Sequence, residues 1–134
     1  EQAGLGCVEA AVEMGKYIIG VDSDQSMLFA GVDEDKANVI LTSVLKNVGD
    51  SLVRMANMEI EGTVPWGSYE ELGIAENGAG LADNEYYQKN VPDEIKTVIE
   101  ESKQEVIDGN VEIPTALGDA DQAEVQALID SVAP

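Results

Sequence analysis

The chain has 134 residues, 27 Asp and Glu against 7 Lys and Arg, a net charge of −20 and no histidine. That charge works against nucleic acid and anionic membrane surfaces, both of which are bound through Lys and Arg. Lacking His excludes His-based triads, His metal sites and His general bases, and a single cysteine, Cys7, excludes an intrachain disulfide. The apolar content of 44% is that of an ordinary folded domain, with a core expected from Val, Ile, Leu, Ala and Met.

In chain order, Glu1 to Gly15 reads as a loop followed by a helix. Gly4 and Gly6 stand ahead of Val8, Ala11 and Val12, an i, i+3, i+4 stripe. Glycines ahead of a helix allow a tight turn and close approach of a ligand to the helix N-terminus, or are simply a structural turn. Cys7 falls on a plausible helix face and reads as a small buried hydrophobe. Leu5-Gly6-Cys7 has the look of a lipobox, but no basic segment and apolar run precede it. Gly15 ends the helix.

Tyr17-Ile18-Ile19-Gly20-Val21-Asp22-Ser23-Asp24-Gln25 is the stretch around which the chain is organised. Its apolar run suits a strand buried on both faces, and the helix before it makes an αβ unit of an open α/β sheet. Ligands of such sheets bind outside the carboxyl ends of the strands, where Asp22 and Asp24 fall. A carboxylate there offers acceptor oxygens to a donor-rich ligand such as a sugar diol. The plainer reading is that both acids merely open a turn.

Ser26 to Ala37 reads as an acidic loop with Asp33-Glu34-Asp35. Two calcium-loop readings fail. After Asp22-x-Asp24 the sixth position is Met27, and after Asp119-x-Asp121 it is Glu124, where the loop needs Gly. No metal site and no cofactor are expected. Val39 to Leu45 is a second strand, with Lys46 after it, and Val48 to Met58 fits an amphipathic helix. Glu61 to Ala82 carries little helix signal, and Trp66 and Tyr69 read as packing residues. Tyr86 to Asn90 is a short helical turn. Pro92-Asp93-Glu94 opens a helix with an Ile95, Val98, Ile99, Val106 and Ile107 face, stopped by Gly109. Val111 to Pro114 is extended. A last helix, capped by Asp121 with Glu124, carries a Val125, Leu128, Ile129 and Val132 stripe and is expected to dock.

Four blocks in order resemble the basic membrane protein family, purine-nucleoside-binding lipoproteins of ABC transporters. They are Gly4-Leu5-Gly6-Cys7-Val8-Glu9-Ala10-Ala11 with Gly20-Val21-Asp22-Ser23-Asp24-Gln25; Leu41-Thr42-Ser43 with Lys46; Gly73 to Ala82; and the Pro92-to-Pro114 ending. The resemblance spans about Gly4 to Pro114. It implies an α/β fold of the type I periplasmic-binding-protein kind, with an open, mostly parallel sheet flanked by helices. The chain would be a second-lobe fragment plus a helix of the first lobe: residues 1–45 in the second lobe, 46–62 packing on the first, and 63–134 returning to the second. The N-terminal half of the same protein is then an expected partner, and a fragment that donates a helix to an absent lobe would expose an apolar face.

By the same resemblance Asp22 accepts from the ribose hydroxyls and Lys46 donates to the nucleoside, with Gly4 and Asp24 as further substrate-binding candidates. Inosine, guanosine or adenosine is the expected ligand and a membrane ABC permease the expected partner. The location is extracytoplasmic, with a lipid anchor outside this chain, and no enzyme and no nucleic-acid partner are implied. A rival reading is a receiver- or phosphatase-like acidic pocket using Asp22 and Asp24. A third is a surface structural or adhesion module with no small-molecule ligand.

Overall fold

The structure is a computed structural model describing residues 2–111, 113 and 122–132. Helix α1 (Gln2–Met14) leads into strand β1 (Ile18–Asp22), followed by a 3-10 turn at Ser26–Leu28 and the short helix α2 (Glu34–Val39). Strand β2 (Ile40–Lys46) runs straight into helix α3 (Val48–Glu61); strand β3 (Ala79–Leu81) and helices α4 (Glu85–Asn90), α5 (Asp93–Ile107) and α6 (Gln122–Val132) complete the order. The expected α/β architecture is present, built on a small mixed sheet. β1 pairs parallel with β2, and β2 antiparallel with β3.

The first unit differs from expectation in one respect. Gly4 and Gly6 are not a loop before the helix but lie inside α1, and a Cβ at either would meet nothing within 4 Å. Glycine costs up to about 1 kcal/mol in a helix interior. The packing of Val8 and Ala11, both buried, offsets this and carries the helix through the glycines. Gly15 ends α1 at φ 59 as expected, and Lys16 N–H bonds back to the Ala11 carbonyl at 2.9 Å. Cys7 faces solvent on α1, because the buried stripe of that helix belongs to Val8 and Ala11.

The acids Asp33-Glu34-Asp35 open helix α2 rather than forming loop. Asp33 caps it, its carboxylate accepting from Lys36 N–H at 3.2 Å, and Glu34 and Asp35 stand in the first turn where the helix dipole favours negative charge. The missed signal was the capping spacing, hidden by the shortness of the helix. Glu34 also accepts from Gly31 N–H at 2.8 Å and from the Tyr86 hydroxyl at 3.0 Å, ties that hold its carboxyl below the usual range. Burial, and after it the bond to Glu34, pushes the Tyr86 phenol up.

The core is small. Val8, Ala11, Ala37, Ile40, Ala82, Tyr86, Tyr87 and Val91 are the buried apolar residues among those described. β1 was expected to be covered on both faces and is not. Register puts Val21 beside Val44 and Val44 beside Leu81, so with Ile19 they share one sheet face, and all four are exposed. Helix α5 flanks this row without covering it, leaving a groove of about 500 Å³ lined by Val44, Leu81, Val98, Ile99 and Val106.

Three more apolar sets are bare. Helix α3 buries no residue and exposes Val48, Leu52, Val53, Met55 and Ile60. Trp66 and Tyr69, expected to pack, are 81% and 86% exposed. In α6, Leu128, Ile129 and Val132 face solvent, so the helix is not docked as expected. The caps assigned to Asp121 and Glu124, the second calcium-loop reading at Asp119, and Glu112 and Pro114 lie outside the residues or side chains described.

Candidate functional site

The carboxyl ends of β1 and β2 lie side by side, because the parallel register pairs Val21 with Val44 and Asp22 with Leu45. Asp22 and Lys46 are therefore the last residues of adjacent strands. Lys46 Nζ stands 3.2 Å from Asp22 Oδ1, with the two side chains 67% and 64% exposed. An ion pair this open contributes no more than about 1 kcal/mol to stability. Its stability contribution does not explain it, and both heads are reachable from solvent.

The backbone at Asp22 is unusual. Its φ is 72, and Ser23 N–H bonds to the Val21 carbonyl at 3.0 Å, closing a three-residue turn around it. This positive-φ form of the γ-turn is rare and strained, and a non-glycine residue held so costs on the order of 1–3 kcal/mol. Strain of this kind collects at ligand sites, where the surrounding structure over-determines the backbone.

Asp24, the second acid of the candidate pair, is turned the other way. Its carboxylate accepts from Asn84 Nδ2 at 2.8 Å on both oxygens and from Ser26 Oγ at 2.8 Å. Asn84 in turn caps α4, its Oδ1 accepting from Tyr86 and Tyr87 N–H at 2.9 and 3.0 Å. Asp24 thus ties together the end of β1, the 3-10 turn and α4. Asp24→Ala should lower unfolding free energy by about 1.5–3 kcal/mol, the worth of hydrogen bonds to a charged group. Chemical denaturation measures this; an unchanged midpoint would contradict the tie.

The segment Leu41-Thr42-Ser43 supports the site from below. Thr42 Oγ1 donates to the Ala82 carbonyl at 2.8 Å, and Ala82 N–H returns to the Ser43 carbonyl at 2.9 Å. Ser43 Oγ accepts from Gln25 N–H at 3.0 Å, fixing the loop that follows Asp22. Both side chains are buried, and sequence reasoning gave them no such role. Gly4 lies in the first turn of α1. No close approach there requires glycine. Among the described residues no group of three or more acids and cysteines is placed to hold a metal ion.

Residues 1–116 match a family described as Bmp, ABC transporter substrate-binding protein PnrA-like. The chain belongs to this family. It is 33% identical over 115 residues to basic membrane protein D of Borreliella burgdorferi (strain JD1), a match covering 84% of this chain and 31% of that protein. It is 29% identical over 101 residues to the ABC transporter nucleoside-binding protein BmpA of Lactococcus lactis subsp. cremoris, covering 74% and 27%. In fold it resembles an ABC transporter system solute-binding protein from Aeropyrum pernix K1, with a TM-score of 0.65 at 21% identity, over 95% of this chain and 40% of the other. The chain spans 24% to 32% of the length of the curated relatives it matches. The family is one of solute-binding proteins, and the receiver- or phosphatase-like alternative finds no support in it.

Proposed function

We propose that this chain forms part of an extracytoplasmic, lipid-anchored solute-binding protein that captures a purine nucleoside and presents it to a membrane ABC permease. The observation that carries the reading is the open Asp22–Lys46 pair, 3.2 Å apart at adjacent strand ends, in a member of the Bmp family. A relative named as a nucleoside-binding protein supports the ligand class. Inosine, guanosine and adenosine share the ribose that such a pair suits. The carboxylate of Asp22 accepts from the ribose hydroxyls, and the Lys46 ammonium donates to the nucleoside, each bond being worth about 1.5–3 kcal/mol. Gly4, at the N-terminal turn of α1, is a further candidate for contact. No bond is made or broken; the lobes close around the ligand by a hinge motion.

Residues 1–45 and 63–134 are assigned to one lobe and 46–62 to a helix packing on the other. The absence of any buried residue in α3 supports this division, since its bare apolar side chains imply a covering surface. In the full-length binding protein, calorimetric titration should give saturable purine-nucleoside binding, and Lys46→Met should weaken it about tenfold or more, as loss of one charge-assisted bond requires. Equal affinity in the variant would remove Lys46 from the site. No binding of any of the three nucleosides would remove the ligand class.

A further inference from the structure

Helix α3 begins immediately after Lys46, and its N-cap residue, Asn47, makes no capping hydrogen bond with its side chain. Asn is among the best N-caps, and forgoing a cap costs about 0.5–2 kcal/mol. The amide goes elsewhere. Asn47 Nδ2 donates to the Asn77 carbonyl at 3.0 Å, and Asn47 N–H donates to the Gly78 carbonyl at 3.0 Å. Asn77 itself sits at φ 57, the only described non-glycine residue besides Asp22 with positive φ, and its Nδ2 donates to Asp50 in the first turn of α3.

The turn that receives these bonds is tight. Gly78 and Ala79 N–H both bond to the Gly73 carbonyl, at 2.8 and 3.2 Å, and Glu76 accepts from Gly73 N–H at 2.9 Å. A Cβ at Gly78 would lie 2.4 Å from the Leu72 carbonyl oxygen, so glycine is required there. The two positive-φ non-glycine residues of the described chain thus flank the same strand end. One is Asp22 itself. The other anchors the residue next to Lys46.

We infer that Asn47 is a positioning residue for Lys46: it trades its helix cap for a tether that fixes the end of β2 to the Leu72–Gly78 turn, and so aims the Lys46 ammonium at the ligand beside Asp22. The bond that replaces the cap runs outside the helix, to the turn beside the strand end, so what it gains is the position of the β2 end rather than the start of α3. This rests on the ligand reading above only for what Lys46 touches; that Asn47 fixes Lys46 stands on the hydrogen bonds alone.

The test is Asn47→Ser in the full-length protein. Serine restores a good cap but cannot reach Asn77, so the thermal midpoint should hold or rise. Hydrogen exchange of the peptide spanning residues 43–48 should quicken about fivefold, and the affinity for inosine should weaken about fivefold, the worth of one ordinary hydrogen bond. In a Lys46→Met background the same substitution should leave affinity unchanged, because its effect passes through Lys46. Unchanged exchange overturns the inference. An affinity loss as large in the Lys46→Met background overturns it too, since Asn47 would then act by another route. If the wild-type protein binds no nucleoside, the ligand reading fails, and the exchange result alone decides whether Asn47 fixes Lys46.

Discussion

Gly20→Ala is expected to destabilise the chain by about 1–3 kcal/mol, the cost of forcing a methyl group into a filled space. A Cβ there would lie 2.3 Å from Ser43 Oγ, 2.9 Å from Gln25 Oε1 and 3.1 Å from Gln25 Cβ. The half-buried Gln25 amide can swing aside, but Ser43 has no room to yield. Ser43 is fully buried and its hydroxyl is held by Gln25 N–H at 3.0 Å. The requirement is one of space, since Gly20 is not among the positive-φ glycines. Moving Ser43 would release the loop after Asp22, so the substitution should also loosen the ligand site. Urea denaturation reads the first effect. A variant as stable as wild type would mean that β1 and β2 do not meet in the Gly20–Ser43 register.

Much of this arrangement was legible in the sequence because its signals are local. The stripe at Val8 and Ala11, the stop at Gly15, the two apolar runs ending at Asp22 and Lys46, and the Pro92 start of α5 each follow from periodicity or backbone restriction. That Asp22 and Lys46 meet depends on the parallel register, which no local pattern encodes. The four ordered blocks of family resemblance, rather than spacing, brought these two residues forward.

What sequence reasoning misjudged were the long-range or environmental features. Asp24 looks equivalent to Asp22, two residues away, and the sequence gives no sign that Asn84, 60 residues on, bonds to Asp24. The acids at 33–35 look like a solvated loop because a six-residue helix offers too few positions for a periodic signal. Trp66, Tyr69 and the stripe of α6 are apolar, a pattern that suggests packing; burial depends on what surrounds them, and the described residues leave them exposed. Asn47 gave no signal, since its departure from the N-cap role is visible only in the bond to Asn77.

The Asp22 carboxylate carries the largest expected effect on binding. Asn is the informative replacement there. It tolerates positive φ as Asp does, whereas Ala at φ 72 would add strain to the loss of the carboxylate. Asp22→Asn also removes the ion pair with Lys46 while keeping the size of the side chain. Loss of a charged acceptor should weaken nucleoside affinity about 10- to 100-fold. The exposed pair adds little to folding, so stability should change by less than about 1 kcal/mol.

The most direct measurement is a calorimetric cycle in the full-length protein: wild type and Asp22→Asn, each titrated with inosine and with 2′,3′-dideoxyinosine. If the Asp22 carboxylate holds the ribose hydroxyls, wild type will prefer inosine by about tenfold or more, and Asp22→Asn will lose most of that preference. A wild-type protein that binds both ligands equally, or an Asp22→Asn variant that keeps the full preference, would contradict the assignment of the strand-end acid to the sugar.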